Sequence, residues 1–185
     1  HSVYAASIDA ASGRIDTDLT GGFPVTATSG NKYIFLLFDY DSNAILTEPL
    51  RNHSNNEILR AYNKLHQHLV DRGCHPMLQR LNNEASTALK RAIREKNINF
   101  HLVPPHQHWR LTAERAIQTF KNHFVAILSG THPDFPLRLW DKLLPQAQLT
   151  LNLLCQSRMN PRLSALDCID NNNYILKLYQ RKVIM

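Results

Sequence analysis

The sequence predicts an α/β domain, a mixed sheet flanked by helices. Three observations carry that expectation. Two strand-like runs and a third lie close together near the start with no helix between them. Two later strand-like runs alternate with helical patterns. Apolar residues make up 43% of 185 positions and charged residues 19%, the balance of a folded globular chain long enough for one real core.

The elements follow in order. Residues 14–19, RIDTDL, alternate apolar and polar side chains as a strand does, and TGGFP at 20–24 breaks the run. Residues 33–40, YIFLLFDY, form a dense apolar run of the kind a strand buried on both faces carries. YDSN at 40–43 turns the chain, and AILTEPL at 44–50 returns as a third strand. Ser54 and Glu57 form an S-x-x-E capping box, and Ile58, Tyr62, Leu65 and Leu69 recur on one helical stripe that Gly73 ends. A fourth strand is expected at 76–81, a helix at 85–96 and a fifth strand at 98–103. Pro104 and Pro105 interrupt the chain before a helix from about Ala113 to Leu128. A last helical stretch, 136–156, contains Pro145, which should kink or divide it.

Residues 1–13 read as a lead-in, 14–164 as the domain, and 165–185 as a C-terminal appendage with an Asn run and no evident link to the sheet. The net charge of +6 mildly favours an acidic partner such as nucleic acid. Cys74, Cys155 and Cys168 are few and widely spaced, give no zinc or disulfide pattern, and point to a reducing compartment. No apolar run is long enough to suggest a membrane span, and the start lacks a signal-peptide pattern, which suggests a piece of a longer polypeptide.

Candidate chemistry gathers at strand ends. Asp16 and Asp18 are two apart on the first strand and share a face. Asn82 closes the fourth strand, and Glu114 stands near the start of the long helix. Converging carboxylates suit paired Mg²⁺ or Mn²⁺ ions, which clamp the attacking and leaving oxygens of a phosphoryl displacement.

The stretches 17-TDLTGGFP-24, 33-YIFLLFDYDSNAILTEPL-50, 81-LNNEAS-86 and 103-VPPHQHWRLTAERAIQTFK-121 together resemble the catalytic core of retroviral and LTR-retrotransposon integrases, over about residues 14–164. The resemblance implies an RNase H-like fold with a five-stranded mixed sheet. It also implies three metal-binding acids, Mg²⁺- or Mn²⁺-dependent cleavage and strand transfer of DNA, and a homodimer or higher oligomer. Location would be the nucleus, or the cytoplasm before entry. Asp18 matches the first acid and Glu114 the third. The second acid belongs at position 82, at the head of N-N-E-A-S, and an asparagine stands there. The catalytic set is therefore Asp18, Asn82 and Glu114, with Asp18 and Glu114 left as metal ligands. Weak metal binding and impaired strand transfer are expected, because an amide offers an oxygen but no charge. Asp16 is the better spare acid, although it sits beside the first acid rather than at the vacant place, and Glu84 a poorer one. His108, Trp109, Arg110, Arg115 and Lys121 are the expected nucleic-acid contacts. His106 and His108 lack a partner pair at zinc spacing. The alternative function is a decayed or domesticated DNA-binding or interaction module of the same fold that has lost its chemistry. A general RNase H-like nuclease is less well supported by the motifs.

Overall fold

A computed structural model describes residues 11–82, 85–103 and 111–170, without the side chains of 82, 103 and 111–113. Five strands, β1 (Arg14–Leu19), β2 (Tyr33–Asp39), β3 (Ala44–Leu50), β4 (Leu78–Asn82) and β5 (Asn99–Val103), form one sheet in the order β3-β2-β1-β4-β5. The first three make an antiparallel meander, and β4 and β5 join it in parallel. The expected mixed sheet is thus present, with β1 at its centre.

The helices cover both faces. One face of the sheet, with Ile15, Phe35, Leu37 and Leu46, packs on α1 (Asn55–Asp71), α2 (Thr87–Glu95) and the short α5 (Ala165–Asp170). The other, with Ile34, Leu36, Phe38 and Ile45, packs on α3 (Leu111–Ser129) and α4 (Leu144–Leu154). Two cores on either side of one sheet explain why β2 reads as an uninterrupted apolar run: both of its faces are buried.

Local chemistry sets the boundaries. Ser54 caps α1, its Oγ accepting from the Glu57 amide at 3.4 Å, while the Glu57 carboxylate accepts from Arg51 rather than closing the capping box. Gly73 follows α1 with φ +78°, a conformation glycine adopts without strain. The stretch 136–156 is divided as Pro145 requires. A 3₁₀ segment, Leu137–Leu143, ends where α4 begins, and Pro145 sits in the first turn of α4, where its missing N–H costs nothing.

The chain from 165 differs from its sequence reading. Its first residues form α5, with Ala165 and Ile169 in the α1 and α2 core and Cys168 buried beside them. Ser164 and Asp167 cap this helix reciprocally: the Asp167 amide donates to Ser164 Oγ at 3.0 Å, and the Ser164 amide to Asp167 Oδ2 at 3.3 Å. The adjoining Asn run masked this apolar triplet in the sequence. The remainder of the expected appendage, 171–185, lies outside the described residues.

Candidate nucleic-acid and metal site

The site is built at the carboxyl ends of the parallel strands, where open α/β sheets place their crevices. Asp18 is the penultimate residue of β1 and pairs with Leu36 of β2, while Asp16 pairs with Phe38. Residues directly opposite share a face, so both acids stand on the α3 and α4 side. On the other flank β1 runs parallel to β4 with Asp16 beside Arg80. That register, carried two residues on, sets the backbone of Asn82 level with Asp18. Asn82 is the last residue of β4 and pairs with Val103 of β5.

Asp18 carries a specific partner. Lys121 of α3 places its Nζ 3.4 Å from Asp18 Oδ2, with both side chains about one-third exposed (35% and 33%). The helix is held over this face by Ile117, Phe120 and Phe124, which pack with Ile34, Leu36 and Phe38. The loop after β1 is pinned to the same layer. Phe23 stacks on Trp140 at 4.2 Å, and Trp140 Nε1 donates to the Val25 carbonyl at 2.9 Å. Asp141 accepts from Ser29 and from Asn31 in that loop.

Beside Asp18, a cleft of about 440 Å³ is lined by Thr17, Thr20, His53, Asn55 and Ser86. Leu81 and Ala85 line it as well, on either side of the segment 82–84.

The other expected site residues fall as follows. Glu114 lies on α3, exposed, seven residues before Lys121. Seven residues are close to two turns, so the two share one side of the helix about 10 Å apart along its axis. Arg115 is exposed and lines a different cleft, near the β2–β3 turn. His108, Trp109 and Arg110 lie outside the described residues, as do Glu84 and the side chain of Asn82.

Asp16 is engaged elsewhere. It is buried and paired with Arg14 at 3.1 Å. Burial raises its pKa, and Arg14 and Arg80 pull against that rise. Its carboxylate closes a structural contact at the amino-terminal part of β1 and is not a spare ligand.

Divalent metal is the cofactor the sequence motifs imply, and the described donors do not make a two-ion site. Asp18 is neutralised by an ammonium group, position 82 supplies an amide, and no group of three or more His, Cys, Asp or Glu is gathered for a metal among the described residues. The sequence reading missed the Asp18–Lys121 pair. The seven-residue step from Glu114 to Lys121 was the signal available for it, since it places a cation on the acid's own helical stripe.

The architecture defines the class: a five-stranded mixed sheet flanked by helices, the RNase H-like fold. Within that class the chain has the fold of retroviral integrase catalytic cores. The BIV integrase catalytic core superposes with a TM-score of 0.64 at 11% identity, covering 90% of this chain and 99% of that one. The HTLV-2 integrase catalytic core in complex with magnesium gives 0.61 at 17% identity, covering 83% and 93%. The simian T-cell lymphotropic virus intasome gives 0.65 at 17% identity, covering 84% of this chain and 53% of that one. No protein-family model and no curated protein sequence matches the chain. Among the described residues no helix is long and apolar enough to cross a membrane.

Proposed function

We propose that this chain is the core of an integrase-type polynucleotidyl transferase that binds DNA, with phosphodiester chemistry impaired at Asn82. The observation that carries the reading is the coincidence of fold and position. Asp18 and Asn82 stand at adjacent carboxyl strand ends, in a fold shared with integrase cores that include a magnesium complex. Asp18 is the first acid of the set, Glu114 the third, and position 82 the place where an amide stands for the second.

Each residue has a defined task in this reading. Asp18 is an anion at the strand end, and Lys121 balances its charge. A phosphate approaching Asp18 competes with it for Lys121, because a partly exposed ion pair is only weakly favourable and can be exchanged. His108, Trp109, Arg110 and Arg115 are further nucleic-acid contacts, and a nuclear location and self-association follow from the same reading. Asp18, Glu114 and the amide of position 82 would hold a Mg²⁺ or Mn²⁺ only weakly.

A second reading is a DNA-binding module that has lost its chemistry altogether. The Asp18–Lys121 contact favours it, since that contact satisfies the first acid without metal. One experiment separates the two. Mg²⁺- or Mn²⁺-dependent nicking and joining of a DNA duplex is measured for the wild type and for Asn82→Asp. Low wild-type activity that rises in the variant supports an impaired integrase. Silence in both forms, with DNA binding intact, supports the binding module. Robust wild-type activity refutes the role given to position 82.

A further inference from the structure

We propose that Arg115 and Arg158 form a second phosphate site, for a nucleic-acid backbone, in a cleft beside the β2–β3 turn. The two arginines line one cleft of about 350 Å³ together with Asn43 and Thr119. It opens beside the β2–β3 turn. Asn43 lies in that turn, next to the amino-terminal end of β1, where Ile15 pairs with Asp39. The DNA-binding reading above supplies the ligand, and the cleft supplies the place.

What marks this cleft is that two arginines without a carboxylate partner among the described residues meet in it. Arg60, Lys64, Arg72, Arg91 and Lys121 each reach a carboxylate. Among the described residues Arg115 and Arg158 reach none, and no carboxylate lines their cleft. Two unneutralised guanidinium groups on one concavity select an anion.

Arg158 is also held in place. Its guanidinium lies 4.4 Å from the Tyr40 ring centroid, and its Nη2 donates to Asn43 Oδ1 at 3.3 Å. Asn43 is fixed in turn, its Nδ2 donating to the Gln156 carbonyl at 3.0 Å. Stacking plus one hydrogen bond orients the planar fork, and among the described residues its other N–H groups have no partner. Thr119 donates its hydroxyl proton to the Arg115 carbonyl at 2.8 Å and keeps its oxygen lone pairs. The donors that remain at the cleft are guanidinium N–H groups, which match phosphate oxygens.

The test uses the whole chain and fluorescent DNA duplexes of unrelated sequence, with affinity read by anisotropy over a series of salt concentrations. Arg115→Gln and Arg158→Gln are each expected to weaken binding on the order of five- to ten-fold near 0.1 M salt, alike for every sequence. Each should lower the slope of log affinity against log salt by about 1. Arg158→Lys, which keeps charge and loses the fork, should fall between. Unchanged affinity and slope in both glutamine variants overturn the proposal. Arg115 is exposed on a helix, so its variant tests the cleft even where Arg158→Gln disturbs the turn.

A titration with inorganic phosphate, followed by NMR of the arginine Nε–Hε groups, reads the cleft without DNA. Both arginines are expected to shift. No shift of either contradicts a phosphate site. A shift with phosphate but no effect of either variant on DNA overturns the nucleic-acid assignment. Failure of the wild type to bind any duplex overturns that assignment and the proposed function together, whereas silent chemistry in Asn82→Asp touches the proposed function alone.

Discussion

Glu48 and Asp18 are both strand carboxylates met by cations from a helix, and they are built to opposite ends. Glu48 on β3 is buried, with its side chain 8% exposed, and each of its oxygens has a partner: Arg60 at 2.6 Å and Lys64 at 2.7 Å, both from α1. Asp18 is one-third exposed and has a lysine at 3.4 Å. The first arrangement clamps α1 to the sheet edge, because a buried charge must be compensated. The second costs little to separate, since water can solvate both ends once they part. The Glu48 cluster is closed on both oxygens, whereas the Asp18 pair is loose, as the proposed ligand site there would require.

The comparison is sharpest if the clamp is broken first. Replacing both Arg60 and Lys64 by Gln leaves Glu48 buried without a cation. We expect a loss of about 3 kcal/mol in urea unfolding, at the lower edge of the range for buried pairs because both cations are largely exposed. A loss below about 0.5 kcal/mol would erase the distinction between the two carboxylates.

Asp39 extends the comparison to a carboxylate with no cation partner among the described residues. It is buried and accepts from the Ser42 amide at 2.9 Å and from Ser42 Oγ. Burial pushes its pKa up from 3.8 to about 6. The folded pKa is raised, so the stabilising contribution of its protonated form is complete below about 3.8 and is lost as pH rises through about 6. Asp39→Asn should therefore gain stability over the wild type by about 2 kcal/mol between pH 4 and pH 7. Unfolding curves of the two forms at both pH values check it, and a pH-independent difference would show that Asp39 stays charged in the fold.

The smallest effect is expected at the loose pair. Lys121→Gln and Asp18→Asn should each change stability by less than about 0.5 kcal/mol. A loss like that of the Glu48 clamp would make Asp18–Lys121 structural.

Much of the fold was legible in local chemistry. Alternation in RIDTDL gave β1, the unbroken YIFLLFD run gave a doubly covered β2, Ser54 gave the start of α1, and Pro145 gave the break before α4. Asp18 was legible as a residue at a strand end facing a helix layer. Its partner was harder to see, because Lys121 is 103 residues away and meets Asp18 only through the way α3 lies across β2. The same holds for Arg158 on Tyr40, whose sequence surroundings carry no pattern. Asp16 was misread as spare because strand alternation places a side chain on a face without saying that Arg14 already holds it. α5 was lost against the Asn run that follows it, although Ala165, Cys168 and Ile169 carry a helical spacing.

On the proposed function, the Asp18 site falls short of a metal site by one carboxylate at position 82. Mn²⁺ binding, followed by electron paramagnetic resonance of the free ion, tests it without relying on turnover. Weak binding, in the millimolar range or above, is expected for the wild type, and binding at least about ten-fold tighter for Asn82→Asp, a gain of about 1.4 kcal/mol. Micromolar binding by the wild type, or no gain in the variant, would contradict it.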